Sequence, residues 1–276
     1  MVGNMHFMIE YATTVALVVV AILAGAGVLH LIPQLGPAGK RLSEACCRAP
    51  GLDIVVTYFT VAPLFAGPIA AGWAGFLGAI TGQVAAVLIW TEVHEYINHH
   101  KVRQPRIFTT INRLVGRWRN HASLWLTAIV TPIFWVVRVA EIVIYPPLRW
   151  LVNFPRYNSA DWVNVSRHKF DGLVGQDLIW CLYCDWMTGV WSLGSEILRN
   201  VESFWCPIRF DSQKKCDNCS VDFPDVNKGW IDAGGNIAQV GQLIQDAQGG
   251  GVHAWLNHPV RLTVGGKEPG KTTVAK

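Results

Sequence analysis

The sequence predicts a mainly α-helical, polytopic membrane protein of about four spans, followed by a small cysteine-containing C-terminal domain of helical and irregular structure. Three observations carry this expectation. Of the 276 residues, 51% are hydrophobic and only 15% charged, against about a quarter charged in ordinary soluble domains. The acidic residues are unevenly spread: of the 19 in the chain, residues 1–152 hold only Glu10, Glu44, Asp53, Glu92, Glu95 and Glu141. Long uncharged runs recur in that first part and stop with it. The chain is therefore read as a transmembrane helical domain, 1–152, and an extramembrane tail, 153–276, with a cysteine-rich segment 181–219.

The first element is Tyr11 to Ile32, which has no charge and at about 1.5 Å per residue covers a hydrocarbon core of about 30 Å. Pro33 and Pro37 end it. No Lys or Arg precedes this run, so it is expected to be a retained helix and not a secretory signal. The next stretch, Ile54 to Trp90, is too long for one crossing and contains Pro63, Pro68, Gly72 and Gly75. A hairpin of two short helices turning near "AAGWAG" accounts for both features. A fourth stretch, Ala122 to Ile144, is apolar except for Arg138 and Glu141, whose spacing lets them pair on one helix face.

Orientation follows from the basic loops, because Lys and Arg are retained on the cytoplasmic side. Lys40, Arg41 and Arg48 mark loop 33–51, and Lys101, Arg103, Arg106, Arg113, Arg117 and Arg119 mark loop 94–121. Both loops are cytoplasmic only if two crossings separate them, which agrees with the hairpin and leaves the N-terminus outside. The side of the tail is left open: a full fourth crossing exports it, whereas a re-entrant segment kinked at Pro132 keeps it in the cytosol. The net charge of +4 is +5 in residues 1–152 and −1 in the tail; the basic excess thus belongs to the membrane part and is explained by orientation, so no nucleic-acid partner is expected. In the tail, Leu178, Leu182, Trp186, Trp191 and Leu198 recur at helical spacing, with an interruption expected near Gly189 or Gly194. A short helix follows over "NIAQVGQLIQDA". The 13 tryptophans suit the lipid bilayer, where the amphipathic ring rests at headgroup depth.

Three motifs carry possible chemistry. "GGKEPGKT", Gly265 to Thr272, has the spacing of a phosphate-binding P-loop. A working P-loop needs a helix after it whose amides face the phosphates. Here Pro269 interrupts the loop, only Thr273 to Lys276 follow, and no upstream strand ends in a metal-binding Asp. No nucleotide is expected.

The second motif is "WTEVHEYINHHK", with Glu92, His94, Glu95, His99 and His100 at the end of the third expected helix. At about 100° per residue, Glu92, Glu95 and His99 fall on one face, and oxygen and nitrogen donors so arranged hold iron, manganese or zinc. The string resembles a histidine box of membrane-bound di-iron desaturases and hydroxylases, which implies iron-dependent oxygen chemistry, although its spacing, H-x-x-x-x-H-H, is not theirs. The same residues also serve as the polar end of a helix at the headgroups, and this is the reading we prefer.

The third is the cysteine set. Cys46 and Cys47 are adjacent in the first loop, a site for lipidation or no chemistry at all. In the tail, "KKCDNCSVDF" sets Cys216 and Cys219 two residues apart in a turn, from which both sulfurs reach one tetrahedral metal. Cys181 and Cys184 share a helix face, and the four together resemble a zinc ribbon with a long insert. Cys206, Cys216 and Cys219 with Cys184 or His168 form another set of four. The expected metal is zinc, the alternative iron; disulfides or free thiols are the competing fate. The function expected is that of an integral membrane accessory or scaffold subunit whose tail binds a structural metal and docks a protein partner. The alternative is a membrane-bound di-iron-like oxidoreductase built on the Glu92/His94/Glu95/His99/His100 cluster, and a third possibility is electron transfer through an iron–sulfur centre.

Overall fold

The computed structural model describes residues 2–102, 106–215, 229–247 and 251–254. The pair Cys216 and Cys219 and the motif Gly265–Thr272 lie outside the described residues. Those described are mainly helical, with no strand among them beyond isolated bridges pairing Arg48 with Asn164 and Ile208 with Ile231. Three helical stretches are long and apolar enough to cross a membrane: Gly3–Gln34, Gly51–Ile97 and Arg117–Val152.

Helix α1, Val2–Leu31, ends where Pro33 opens a 3-10 turn, Ile32–Gln34, and Pro37 opens α2, Gly36–Cys46. The second long stretch is composed of α3 (Gly51–Val56), a π-helical turn (Thr57–Val61) and α4 (Ala62–Ile97). Helical geometry fails inside α4 at Ala71 (φ −146, ψ 28) and Gly72 (φ 55, ψ −135). The left-handed φ of Gly72 suits only a residue without a Cβ. On either side of this break the chain meets itself. Gln83 Nε2 donates to the carbonyls of Phe59 at 2.9 Å and Thr60 at 2.8 Å, and a Cβ on Gly67 would strike the Gly75 carbonyl. The chain therefore reverses direction at Ala71–Gly72. The π turn assists, since its altered bonding turns the Phe59 and Thr60 carbonyls toward Gln83.

Helix α1 packs against this reversed pair through small residues. Val18 and Ile22 of α1 form a buried cluster with Ala79 and Ala86 of α4, and a side chain on Gly82 would collide with Val18. Lipid offers apolar surface as freely as another helix does, so close backbone approach and polar contacts supply the specificity. Tyr58 Oη donates to the Ala21 carbonyl at 2.6 Å, and Tyr11 Oη to Thr81 Oγ1 at 3.0 Å.

Two compact units divide the chain, Met1–Ile129 with Ser159–Gly189, and Val130–Asn158 with Val190–Lys276. In the first, the segment after α9 (Ser159–Trp162) is tied to the first loop: Ala49 N–H donates to the Val163 carbonyl at 3.0 Å and Val165 N–H to the Cys47 carbonyl at 2.9 Å. Helix α5 (Ile107–Val115) and the first turn of α6 (Arg117–Ile129) form inside the second basic segment, 94–121. The first half of α10, Gly175–Trp205, lies along α6, with Trp125 edge-on to Trp180 and Tyr183 Oη donating to the Thr127 carbonyl at 2.8 Å.

Helix α10 is not interrupted at Gly189 or Gly194, contrary to the sequence expectation. Both glycines serve close packing instead: a Cβ on Gly189 would meet the Trp162 carbonyl, and one on Gly194 the Val137 side chain. In the second unit, α7 (Thr131–Val139), a π turn (Ala140–Ile144) and α8 (Tyr145–Val152) pack along the second half of α10. Arg138 and Glu141 pair at 2.6 Å with both side chains nearly inaccessible, as a charge in an apolar segment requires. The short α11, Ile237–Ala247, starts with a reciprocal cap: Asn236 Oδ1 accepts from the Ala238 and Gln239 amides while the Gln239 side chain accepts the Asn236 N–H.

Candidate functional site

Glu92, His94 and Glu95 lie in the last turns of α4, and His99 and His100 just beyond it. Asn98 leaves helical geometry (φ −102, ψ 22), and its side-chain amide and N–H both bond to the His94 carbonyl. His99 consequently belongs to the next 3-10 turn, His99–Lys101, so the helical face drawn through Glu92, Glu95 and His99 is not continued.

Glu95 instead receives a bidentate guanidinium from Arg106, at 2.6 and 2.8 Å. Arg106 Nε reaches Asp177 Oδ2 at 3.1 Å, while the other Asp177 oxygen accepts the Phe108 N–H at 2.8 Å. The side chains of Arg106 and Asp177 are 11% and 4% exposed. The hydrogen bonds that Arg106 donates to both carboxylates raise its pKa further above its already high value, so the guanidinium is charged at any physiological pH. Its geometry depends on the first turn of α10. The Gln176 N–H points at Glu95 Oε1, where the positive end of the helix favours a carboxylate. A Cβ on Gly175 (φ +51) would collide with that same carboxylate.

His94 stacks on Trp90 with centroids 4.6 Å apart and lies 5.5 Å from the His30 ring. Its Nδ1 accepts the Gly175 N–H at 3.1 Å, which leaves the proton of the neutral ring on Nε2. Glu92, His99 and His100 are exposed. His99 Nδ1 bonds its own turn at the Tyr96 carbonyl. The five residues are thus not gathered into one donor set. Among the described residues no three of His, Cys, Asp or Glu are grouped so as to hold a metal ion.

The thiols occupy two places in the first unit. Cys181 and Cys184 both lie beside the Arg167 guanidinium, which is paired with Asp185 at 2.7 Å. Asp185 also accepts the Ser166 and Arg167 amides at 2.9 and 3.0 Å, pinning the segment after α9 to α10. Burial pushes the Cys181 thiol up, an effect that Arg167 opposes. Cys47 Sγ lies 3.9 Å from His168 Nε2, so the described partner of His168 is Cys47 and no tail cysteine. Burial, with Cys46 adjacent, raises the Cys47 pKa as well. Cys206 is exposed at the end of α10.

A second polar centre escaped the sequence reading. In the second unit Tyr157 Oη donates to Glu196 Oε1 at 3.3 Å and accepts from Asn200 Nδ2 at 2.5 Å, and Tyr145 Oη donates to the Pro155 carbonyl at 3.0 Å. Glu196 and Asn200 are 2% and 0% exposed. Burial and the neighbouring Glu196 hold the Tyr157 hydroxyl protonated far above its usual range. The available signal was the spacing Glu196, Asn200, Ser203, which puts three polar residues on one helix face. That face is the buried one. The apolar residues Trp191, Leu198 and Trp205, seven apart, are 57%, 54% and 53% exposed, so the second half of α10 buries three polar residues beside Val190 and Leu193 and leaves three large apolar ones outside.

No protein-family model matches the chain, and neither the curated proteins nor the solved structures give a match.

Proposed function

We propose that this protein is an integral membrane accessory or scaffold subunit whose tail docks a protein partner and holds a structural zinc. The observation that carries the reading is the stripe Trp191, Leu198 and Trp205. Its spacing of seven residues is that of one seam of a helix packed against another helix. Covering it is the task of an apolar partner surface. The fate of Glu95, Asp177 and Arg106 agrees with a supporting role, since the charges nearest the expected catalytic cluster are taken up in holding α4, α5 and α10 together. Zinc is assigned to Cys216 and Cys219 with Cys206 as a third thiolate, since Cys181 and Cys184 lie 22 or more residues earlier in the unbroken α10, beyond the reach of the same tetrahedral ion; iron at the same residues, or at the Glu92 to His100 cluster, belongs to the oxidoreductase alternative.

The topology we infer has three crossings and a re-entrant fourth stretch. Gly51–Ile97 counts twice because it reverses at Gly72, and each arm covers about 30 Å or more. Loops 33–51 and 94–121 then share the cytoplasmic side by their Lys and Arg content. The backbone bonds from Cys47 and Ala49 to Val163 and Val165, and the Arg106 clamp, support a tail on that side too. Arg117–Val152 on this reading enters the membrane and returns.

Three measurements test the proposal. Metal analysis of the purified protein should find about one zinc per chain, lost in Cys216→Ser; iron in its place would favour the oxidoreductase. A photo-crosslinker at residue 191 or 198, activated in native membranes, should yield a discrete heavier protein adduct, whereas adducts with lipid alone would reject the docking role. A membrane-impermeant maleimide, applied after a chelator has removed the zinc, should label Cys46 and Cys206 from the same face of sealed vesicles, and labelling from opposite faces would restore a full fourth crossing.

A further inference from the structure

From Glu95 to Glu141 the sequence contains no acidic residue between the two, although Arg and Lys are frequent there. Two of these cations are neutralised, Arg106 by Glu95 and Asp177, and Arg138 by Glu141. Arg113, Arg117 and Arg119 are exposed and make no ion pair with any described residue. Their setting is α5 and the first turn of α6. On α5, Ile107, Ile111 and Leu114 fall within about 60° of one another and face outward, with exposures of 50%, 38% and 77%. One flank of α5 is already occupied, since Phe108 packs edge-on against His121 and Asn112 accepts from Asn120. After Gly116, whose φ of +91 ends α5, Trp118 is 80% exposed.

We infer that this element is a docking surface for anionic lipid headgroups, lying flat at the membrane boundary with its apolar stripe in the acyl region and Arg113, Arg117 and Arg119 on phosphate. Three independent features meet here. The stripe has the depth and width of an interfacial helix. The arginine forks match phosphate oxygens, and their aliphatic stems let them reach headgroups from beside the stripe. The Arg106 clamp and the bond from Phe108 N–H to Asp177 fix the start of α5 close to the end of the Gly51–Ile97 stretch, so the element is held at headgroup level before any lipid binds. A polybasic site of this kind gains about fivefold in binding per charge. The inference requires only that the long apolar helices are in the membrane and is independent of the zinc and of the tail's partner.

The test is amide hydrogen exchange on the full chain in nanodiscs of phosphatidylcholine alone or with about 30 mol% phosphatidylserine. Acidic lipid should slow exchange over 107–119 by about fivefold or more, and raising salt to about 0.5 M should remove most of the difference. The variant Arg113→Gln/Arg117→Gln/Arg119→Gln should lose the lipid response while exchange over 175–189 stays as in the wild type; Lys40→Gln/Arg41→Gln, in α2, should keep it. If the triple variant does not fold, the salt response of the wild type decides alone. Equal exchange in both lipids, a response unaffected by salt or by the three substitutions, or protection that follows the number of chains per disc and marks a second copy as the occupant would each overturn the inference.

Discussion

Replacing Arg106 by Met removes three charge-assisted hydrogen bonds, of 2.6, 2.8 and 3.1 Å, from a side chain that is 11% exposed. Asp177, 4% exposed, keeps only the Phe108 N–H, while Glu95, 27% exposed, regains part of its hydration. Removing one partner of a fully buried pair costs about 3–5 kcal/mol. Partial access of water to Glu95 moves the expectation to the lower end, about 3 kcal/mol, or roughly a hundredfold in the local opening equilibrium. The assay is amide exchange at Phe108, Gln176 and Asp177, which should accelerate by about that factor while exchange within α1 is unchanged. Adding Glu95→Gln and Asp177→Asn to Arg106→Met should recover much of the protection, because the uncompensated carboxylates are gone. Arg106→Lys should recover less, since an ammonium does not reproduce the fork. An effect of Arg106→Met below about fivefold, or a triple variant no better than the single one, would refute the reasoning that this clamp joins α4, α5 and α10.

Three further outcomes follow from the same physics. Gly82→Leu drives a side chain into Val18 and should cost about 2 kcal/mol or more, read as a lower melting temperature in detergent; an unchanged melting temperature would mean α1 and α4 do not meet there. Tyr157→Phe deletes the hydrogen bonds to Glu196 and Asn200 and should destabilise the second unit by about 1–2 kcal/mol, visible as faster exchange over 190–204 and nowhere in 2–97. For Cys47 the folded thiol titrates above its unfolded value, burial being the main cause. Folding thus favours the protonated form, and this contribution is present below about pH 8.5 and declines as the pH rises past it. Iodoacetamide modification of Cys47, followed by mass spectrometry against pH, should rise later than that of an unstructured cysteine peptide, and a coincident profile would contradict the buried setting.

Helical membrane character was legible because it depends on local quantities. Run length, absence of charge and proline placement specify Tyr11 to Ile32 and its end at Pro33 with no reference to the remainder of the chain. The reversal inside Gly51–Ile97 was readable for the same reason, since a run too long for one bilayer with glycines at its middle leaves few other outcomes. The pairing of Arg138 with Glu141 needed only their spacing and the cost of an isolated charge among apolar neighbours.

The candidate site was legible in composition and misread in arrangement. Glu92, Glu95 and His99 were grouped by continuing α4 past Ile97, but the bonds that Asn98 makes back to His94 end the helix first. The partners of Glu95 lie 11 residues away in Arg106 and, through Gln176, 81 residues away. A periodicity argument reports which residues share a face and is silent on what that face meets. The same limit explains α10, where Leu178, Leu182, Trp186, Trp191 and Leu198 recur at helical spacing: Leu178 and Trp186 are buried, but Trp191 and Leu198 are exposed while Glu196 and Asn200 are inside. By itself the sequence determined that long apolar helices form and where prolines and Gly72 stop them, because those energies are local transfer and backbone terms. Tertiary structure alone decided that Arg106 joins Glu95 to Asp177, that His168 faces Cys47 and that Glu196 and Asn200 of α10 are inside, because each is a meeting of groups far apart along the chain, and the electrostatic value of the buried ones exists only once folding has excluded water from around them.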